Sequence, residues 1–262
     1  MRIALGLEYD GAAFCGWQTQ PAGCAVQDHL EQALGRFTQT RVETTAAGRT
    51  DAGVHATAQV VHFDTPAERE AVSWVRGTNT SLNAAARVLW SARVPDDFHA
   101  RYSARSRTYC YLLLDAPVAP AVLRGRIGWH HRPLDAGAME QAAAALVGEH
   151  DFSAFRDAQC QARTPVRTLT RARVERRGAL VAVTLSANAF LHHMVRNVVG
   201  ALVYVGDGRQ PIGWVAELLA ARDRREAAPT FAPDGLYLAA IEYDPAFRLP
   251  AFPDHPLLDL AP

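Results

Sequence analysis

Residues 46–64 read A-A-G-R-T-D-A-G-V-H-A-T-A-Q-V-V-H-F-D, from Ala46 to Asp64. Apolar, strand-like residues stand on both sides of a turn, Gly48-Arg49-Thr50-Asp51-Ala52-Gly53, that carries one carboxylate, Asp51. The two glycines open backbone conformations closed to other residues. A tight loop held on a sheet is a favoured place for a reacting group. Arg49, two residues before the acid, has the chemistry to hold a carboxylate ionised or to grip a phosphate. His55 and Gln59 follow on the emerging strand. The plain structural alternative is an aspartate that satisfies backbone N–H groups in its own turn.

Outward from this strand–turn–strand, the pattern repeats with helices between. Ile3, Leu5, Leu7 and Tyr9 alternate with Arg2, Ala4, Gly6 and Glu8, which predicts a strand over residues 2–9. A glycine-rich loop with Phe14 and Trp17 follows. Val26, Leu30, Ala33, Leu34 and Phe37 form one stripe and predict a helix over residues 25–37. Strands are expected at 42–47 and 56–64, a weaker helix at 71–82 and a strand at 87–94. The order β-α-β-β-α-β is the split, ferredoxin-like unit.

The second half reads as a decorated copy of the same plan. Strands are expected at 107–115 and 126–130 and a helix at 136–147. A hairpin is expected from 166–176 and 180–187 around Arg177-Gly178. A long helix over 190–205, a short one after Pro211 and a closing strand from Gly235 to Tyr243 complete it. The proline-bearing tail from Pro245 is expected to be irregular. The fold class is therefore α+β with two ferredoxin-like halves, residues 1–97 carrying the Asp51 loop and residues 98–262 following.

Composition narrows the function. The 262 residues are 49% apolar, enough for a sizeable core. No apolar run approaches the roughly 20 residues that span a bilayer. No signal peptide is visible before the first strand, so a cytoplasmic location is expected. Cys15, Cys24, Cys110 and Cys160 form no C-x-x-C pair, so neither a disulfide framework nor a zinc site is expected. Net charge is zero, yet residues 98–177 hold 13 arginines against 7 acids, a segregation that can build a basic face. All 27 basic residues other than histidine are arginine, which suits phosphates and base edges. A GC-rich coding bias gives the same excess.

Three further stretches carry chemistry. In A-N-A-F-L-H-H-M-V-R-N, from Ala187 to Asn197 onto a helix, His192, His193, Arg196 and Asn197 are expected on one polar face. A zinc reading needs a further pair of ligands and none is evident, so no metal is expected. Residues 98–109, F-H-A-R-Y-S-A-R-S-R-T-Y, interleave three arginines with Phe98, Tyr102 and Tyr109, a composition suited to phosphate contacts and base stacking. An edge strand with a solvated basic side is the alternative. Gln159-Cys160-Gln161-Ala162-Arg163 is a polar connector after Asp151-Phe152-Ser153-Ala154-Phe155-Arg156. No histidine or asparagine framework supports Cys160 as a nucleophile.

The motifs G-R-T-D-A-G-V-H with Q-V-V-H-F, D-F-H-A-R-Y-S-A-R-S-R-T-Y and A-N-A-F-L-H-H-M-V-R-N together resemble the tRNA pseudouridine synthase A (TruA) family, and the resemblance runs to the closing G-L-Y-L-A-A-I-E-Y. It implies two ferredoxin-like halves whose strands form a mixed, mostly antiparallel sheet with helices on one face and a central active-site cleft. It implies isomerisation of uridine in the anticodon stem-loop of tRNA, with no cofactor. Asp51 would be the nucleophile, Arg196 would hold it charged, and Tyr109 would stack on the uracil. Arg49 would fill the gap left by a flipped nucleotide or hold that nucleotide. Phe98, His99, Ala100, Arg101 and Tyr102, together with Arg69 and residues 159–163, would bind tRNA. It further implies a homodimer that clamps tRNA. The alternative is a non-catalytic RNA-binding module on the same plan.

Overall fold

The computed structural model describes residues 1–255. Among them the class is α+β, with strand pairing mixed and mostly antiparallel. The chain packs as two compact units. One runs from Met1 to Arg105 and takes back the chain from Tyr237; the other comprises Ser106–Leu236.

The first unit is built on β1 (Arg2–Tyr9), β3 (His55–Asp64) and β4 (Ala86–Val94), with β1 central and antiparallel to both neighbours. A short β2 (Thr45–Ala46) pairs with β3 through Thr45 opposite His62. The start of β10 (Leu236–Glu242) runs parallel to β3, Tyr237 opposite His55. The connections β1–α1–β3 and β3–α2–β4 use α1 (Val26–Thr38) and α2 (Ala71–Ser81). Asp28 accepts the N–H of Ala25 at 3.0 Å, so a carboxylate three residues into α1 satisfies a donor at its open end. The helices meet through Phe37 and Trp74, and Trp74 rests edge-on against Phe63 of β3.

The other face of that sheet is not left to solvent. Ala4, Val60, Trp90, Val94 and Phe98 form a second cluster, covered by Ile241, Tyr243, Phe247, Leu249 and Phe252. This explains why β3 is buried along nearly its whole length, its polar residues His55, Thr57, Gln59 and His62 included. The tail is irregular apart from one turn of 3-10 helix at Pro245–Phe247, as expected, yet it contributes side chains to this core. Pro256 and Pro262 lie outside the described residues.

In the second unit, β5 (Ser106–Asp115), β9 (Leu180–Ala187), β8 (Val166–Arg177) and β7 (Gly148–Asp151) lie side by side, all antiparallel. The β8–β9 hairpin turns at Gly178, whose φ of +59° suits a residue without Cβ. The expected strand after residue 126 is the short β6 (Gly128–His130), parallel to β5. Helices α3 (Ala136–Ala143), α4 (Met194–Gly206) and α5 (Trp214–Ala221) pack in this unit. A Cβ on Gly206 would stand 2.7 Å from Sδ of Met139, so glycine permits the close approach of α3 and α4.

Two local expectations are corrected. The helix expected from residue 190 begins at Met194, because His193 takes a left-handed conformation, φ +60°. His192 and His193 therefore stand on a turn before α4, and Asn197, fully buried, belongs to the core and not to a polar face. Cys15 and Cys24, expected as separate thiols, are joined in a disulfide across nine positions of sequence. The loop between β1 and α1 folds back so that Cys15 N–H donates to Cys24 C=O at 3.0 Å, a pairing no spacing rule signals.

Candidate active site

The turn bearing Asp51 is held by its backbone. Ala47 N–H donates to Val60 C=O at 2.8 Å where β2 ends. Val54 N–H returns to Asp51 C=O at 3.1 Å, with Gly53 at φ +80° making that reversal possible. Trp17 N–H donates to Thr50 C=O at 2.9 Å from the β1–α1 loop. Asp51 is half-buried on this braced turn, and Arg49, two residues before it, is exposed.

Side chains brace the same turn from beneath. Gln59 Nε2 donates to Gly48 C=O at 2.7 Å and reaches Tyr9 Oη at 3.3 Å, and Tyr9 Oη bonds Thr50 Oγ1 at 2.8 Å. Burial pushes the Tyr9 phenol up to about 12, so it keeps its proton at neutral pH. His55 is buried, stacked on Tyr237 with ring centres 4.7 Å apart, and its Nδ1 accepts the N–H of Gly11 at 3.0 Å.

Residues 98–102 divide into two roles. Phe98 and Ala100 are fully buried. Phe98 packs with Tyr243 and Phe247 at 5.3 and 5.0 Å, and Ala100 C=O accepts from Tyr243 Oη at 2.6 Å. Both were expected as tRNA contacts, but burial gives them the part of anchoring the segment. Tyr102 is 76% exposed, His99 lies against its ring at 4.3 Å, and the Arg101 guanidinium stands 5.7 Å from its centre. The exposed aromatic–basic surface is therefore Arg101 and Tyr102, with His99 half-buried against the Tyr102 ring. Arg69 is exposed ahead of α2 and donates to Glu68 C=O.

In the second unit, Tyr109 on β5 stands opposite Leu185 of β9, 8% exposed, with Phe190 edge-on at 5.1 Å. Arg196 lies in the first turn of α4, where its Nε donates to Phe231 C=O at 2.8 Å. Beside it is a cluster that sequence reading missed. Asn197 Nδ2 donates to Phe155 C=O at 2.8 Å, and its Oδ1 accepts from Thr230 Oγ1 at 2.7 Å and Arg224 Nη2 at 3.1 Å. An asparagine interrupting the apolar run Met194–Gly206 is the signal that could have found it.

Residues 157–163 are tied from both ends. Asp157 accepts from Gln159 N–H at 2.8 Å and faces His193 Nδ1 at 2.8 Å and His192 Nδ1 at 3.5 Å. Burial opposes the Asp157 charge, but the Gln159 N–H and the two imidazoles outweigh it and hold the carboxyl below its ordinary value. Arg156 Nη2 donates to the carbonyls of Cys160 and Ala162, both at 2.8 Å. Gln159, Gln161 and Arg163 are exposed, while Cys160 and Ala162 are half-buried.

The family described as tRNA pseudouridine synthase matches residues 7–103 and 142–244 of this chain. A protein of Bordetella petrii named tRNA pseudouridine synthase A is 61% identical over 95% of this chain and 93% of its own length. Proteins of the same name from Paraburkholderia xenovorans and Herminiimonas arsenicoxydans are each 58% identical, over 95% of this chain and 93% and 92% of theirs.

Proposed function

This chain belongs to the tRNA pseudouridine synthase family, its reaction is the isomerisation of uridine in tRNA, and we propose that Asp51 is the nucleophile. In this reaction the N1–C1′ bond breaks, the base turns, and C5 bonds to C1′. The C5 proton leaves and N1 takes one up, so redox state is unchanged and a single carboxylate suffices as nucleophile. Addition to C6, attack at C1′, and a glycal route all use that carboxylate.

One observation carries the assignment. Asp51 is a half-buried carboxylate on a turn whose backbone is bonded on either side of it, at Thr50 C=O and Asp51 C=O. Such bracing holds a reacting atom in place. Arg196 is the guanidinium that serves the nucleophile, and Tyr109 the ring that stacks on the uracil. A base in a stacked stem must be flipped out, at a cost of a few kcal/mol. Arg49, exposed beside Asp51, fills the vacated gap or holds the flipped nucleotide.

His99, Arg101 and Tyr102, with Arg69 and the exposed side chains of residues 159–163, grip the tRNA. The anticodon stem-loop is the target region, a homodimer the acting form and the cytoplasm the location. Among the described residues no helix is long and apolar enough to cross a membrane. A purely RNA-binding module is not favoured, since relatives matching 95% of the chain carry the enzyme's name.

The test is release of tritium from C5-labelled uridine in tRNA transcripts. Asp51→Asn and Asp51→Ala are expected to bind tRNA and release none above background. Turnover surviving in both would remove Asp51 from the chemistry.

A further inference from the structure

We propose that Gln59 and Tyr9 form a buried positioning relay that sets the catalytic turn. This rests on the reading of Asp51 as nucleophile. Gln59 sits at the centre of β3 with no exposed surface, where a leucine would pack without needing partners. An unpaired carboxamide there would cost free energy, so its bonds must be made.

The bonds of Gln59 have directions that chemistry dictates. Val60 N–H can only donate and Gly48 C=O can only accept. Gln59 therefore points Oε1 to Val60, at 3.2 Å, and Nε2 to Gly48, at 2.7 Å. The second Nε2 proton faces Tyr9 Oη at 3.3 Å. Tyr9 Oη thus accepts from Gln59 and shares a hydrogen bond with Thr50 Oγ1 at 2.8 Å, in which either hydroxyl can donate. The relay that links Gln59, Tyr9 and Thr50, with its branch to Gly48, grips the turn at two positions just ahead of Asp51. Trp17 N–H holds a third point, Thr50 C=O.

The strands are shaped for this. β1 and β3 pair in register as far as Leu7 opposite Gln59, then slip so that Tyr9 stands opposite Ala56. A bulge of this kind re-aims side chains, and here it accompanies the approach of the Tyr9 phenol to Thr50. Tyr9, Gln59 and Thr50 are all more than nine-tenths buried, so water does not compete for their bonds. With the backbone of residues 48–50 held, the Asp51 carboxylate keeps its position relative to the flipped base. A displacement of about 1 Å at such an atom costs about 100-fold in rate.

The experiment measures single-turnover tritium release at saturating enzyme for Tyr9→Phe, Gln59→Leu and the double variant. Asn79→Leu serves as a control. Asn79 bridges α2 to Val88 with two bonds and lies outside the catalytic turn, so its loss taxes stability without touching that turn. Both single variants are expected to turn over about 10–100-fold more slowly, with tRNA half-saturation little changed, because the relay acts on geometry and not on binding. The double variant should cost about as much as the worse single, since both break one chain. Asn79→Leu should turn over like wild type when assayed well below its melting point. Should Gln59→Leu fold poorly, Tyr9→Phe, which removes one oxygen, decides alone. Wild-type rates in the single variants, a loss equal to that of Asn79→Leu, or multiplying losses in the double variant would overturn the relay. Full activity in Asp51→Asn would instead overturn the nucleophile assignment and the relay with it.

Discussion

Nδ1 of His62 accepts the backbone N–H of Ala100 at 3.1 Å, which joins β3 to the segment that presents Arg101 and Tyr102. An imidazole can accept there only while Nδ1 is unprotonated. Burial first, then the charges of Arg2 and His99, lower the His62 pKa to about 4. In the unfolded chain it titrates near ~6.5. Between those values the unfolded state binds more protons, so this group makes stability fall as pH drops from about 6.5 to 4, with no contribution above. His62→Gln keeps an acceptor that does not titrate. Urea midpoints measured from pH 4 to 7 should slope less for His62→Gln than for wild type; equal slopes would refute the role.

Two glycines of the β1–α1 loop separate backbone strain from turn geometry. Gly16 has φ +93°, and a Cβ there would meet Thr50 C=O at 3.0 Å, Ala52 N at 3.1 Å and the Asp51 carbonyl carbon at 3.2 Å. Gly23 has φ +66° and open space around it. Alanine at either site costs about 1–3 kcal/mol of stability for the left-handed conformation. Only Gly16→Ala presses on the catalytic turn, so only it should also slow single-turnover tritium release. Equal turnover in the two variants would break the link between this loop and Asp51.

Phe98→Ala and Tyr102→Ala should part company in the same way. Phe98 is fully buried among aromatic rings, and its truncation should cost about 3–5 kcal/mol in chemical denaturation. Tyr102 is exposed, so its truncation should leave stability within about 0.5 kcal/mol. If its ring stacks on a base, tRNA affinity should fall by about 1–3 kcal/mol. Unchanged affinity in a filter-binding titration would take Tyr102 out of the interface.

What could be read from sequence was whatever local periodicity encodes. β1 alternates and spans Arg2–Tyr9 as expected, and α1 follows its apolar stripe to within one residue at each end. The Asp51 turn was legible because glycines and a lone acid stand between two apolar strands. Long-range closure was not. Nothing near Phe252 signals that it will pack on Trp90, or that Tyr243 will bond Ala100 across most of the chain. The start of α4 was misplaced because an apolar pattern carries no mark of the left-handed turn at His193. Phe98 looked like an RNA contact because composition does not say which face of a segment is buried.

The four cysteines differ in bonding and reactivity. Cys15 and Cys24 are bonded, with Cα atoms 5.5 Å apart, leaving Cys110 and Cys160 as thiols. Burial pushes the Cys110 thiol up to about 12, so it resists alkylation in the folded protein. Burial also opposes ionisation of Cys160. There the N–H groups of Ala162 and His192, with the charge on Arg156, outweigh burial and lower the thiol. Iodoacetamide added to the native protein near pH 8 should therefore label Cys160 first and Cys110 only on unfolding. Protein denatured without reductant should titrate as two thiols, and as four after reduction. Replacing Cys15 and Cys24 together by serine should lower stability by about 2–4 kcal/mol through the freed unfolded chain. Four thiols before reduction would show that the bond is absent, and the double serine variant would then match wild type.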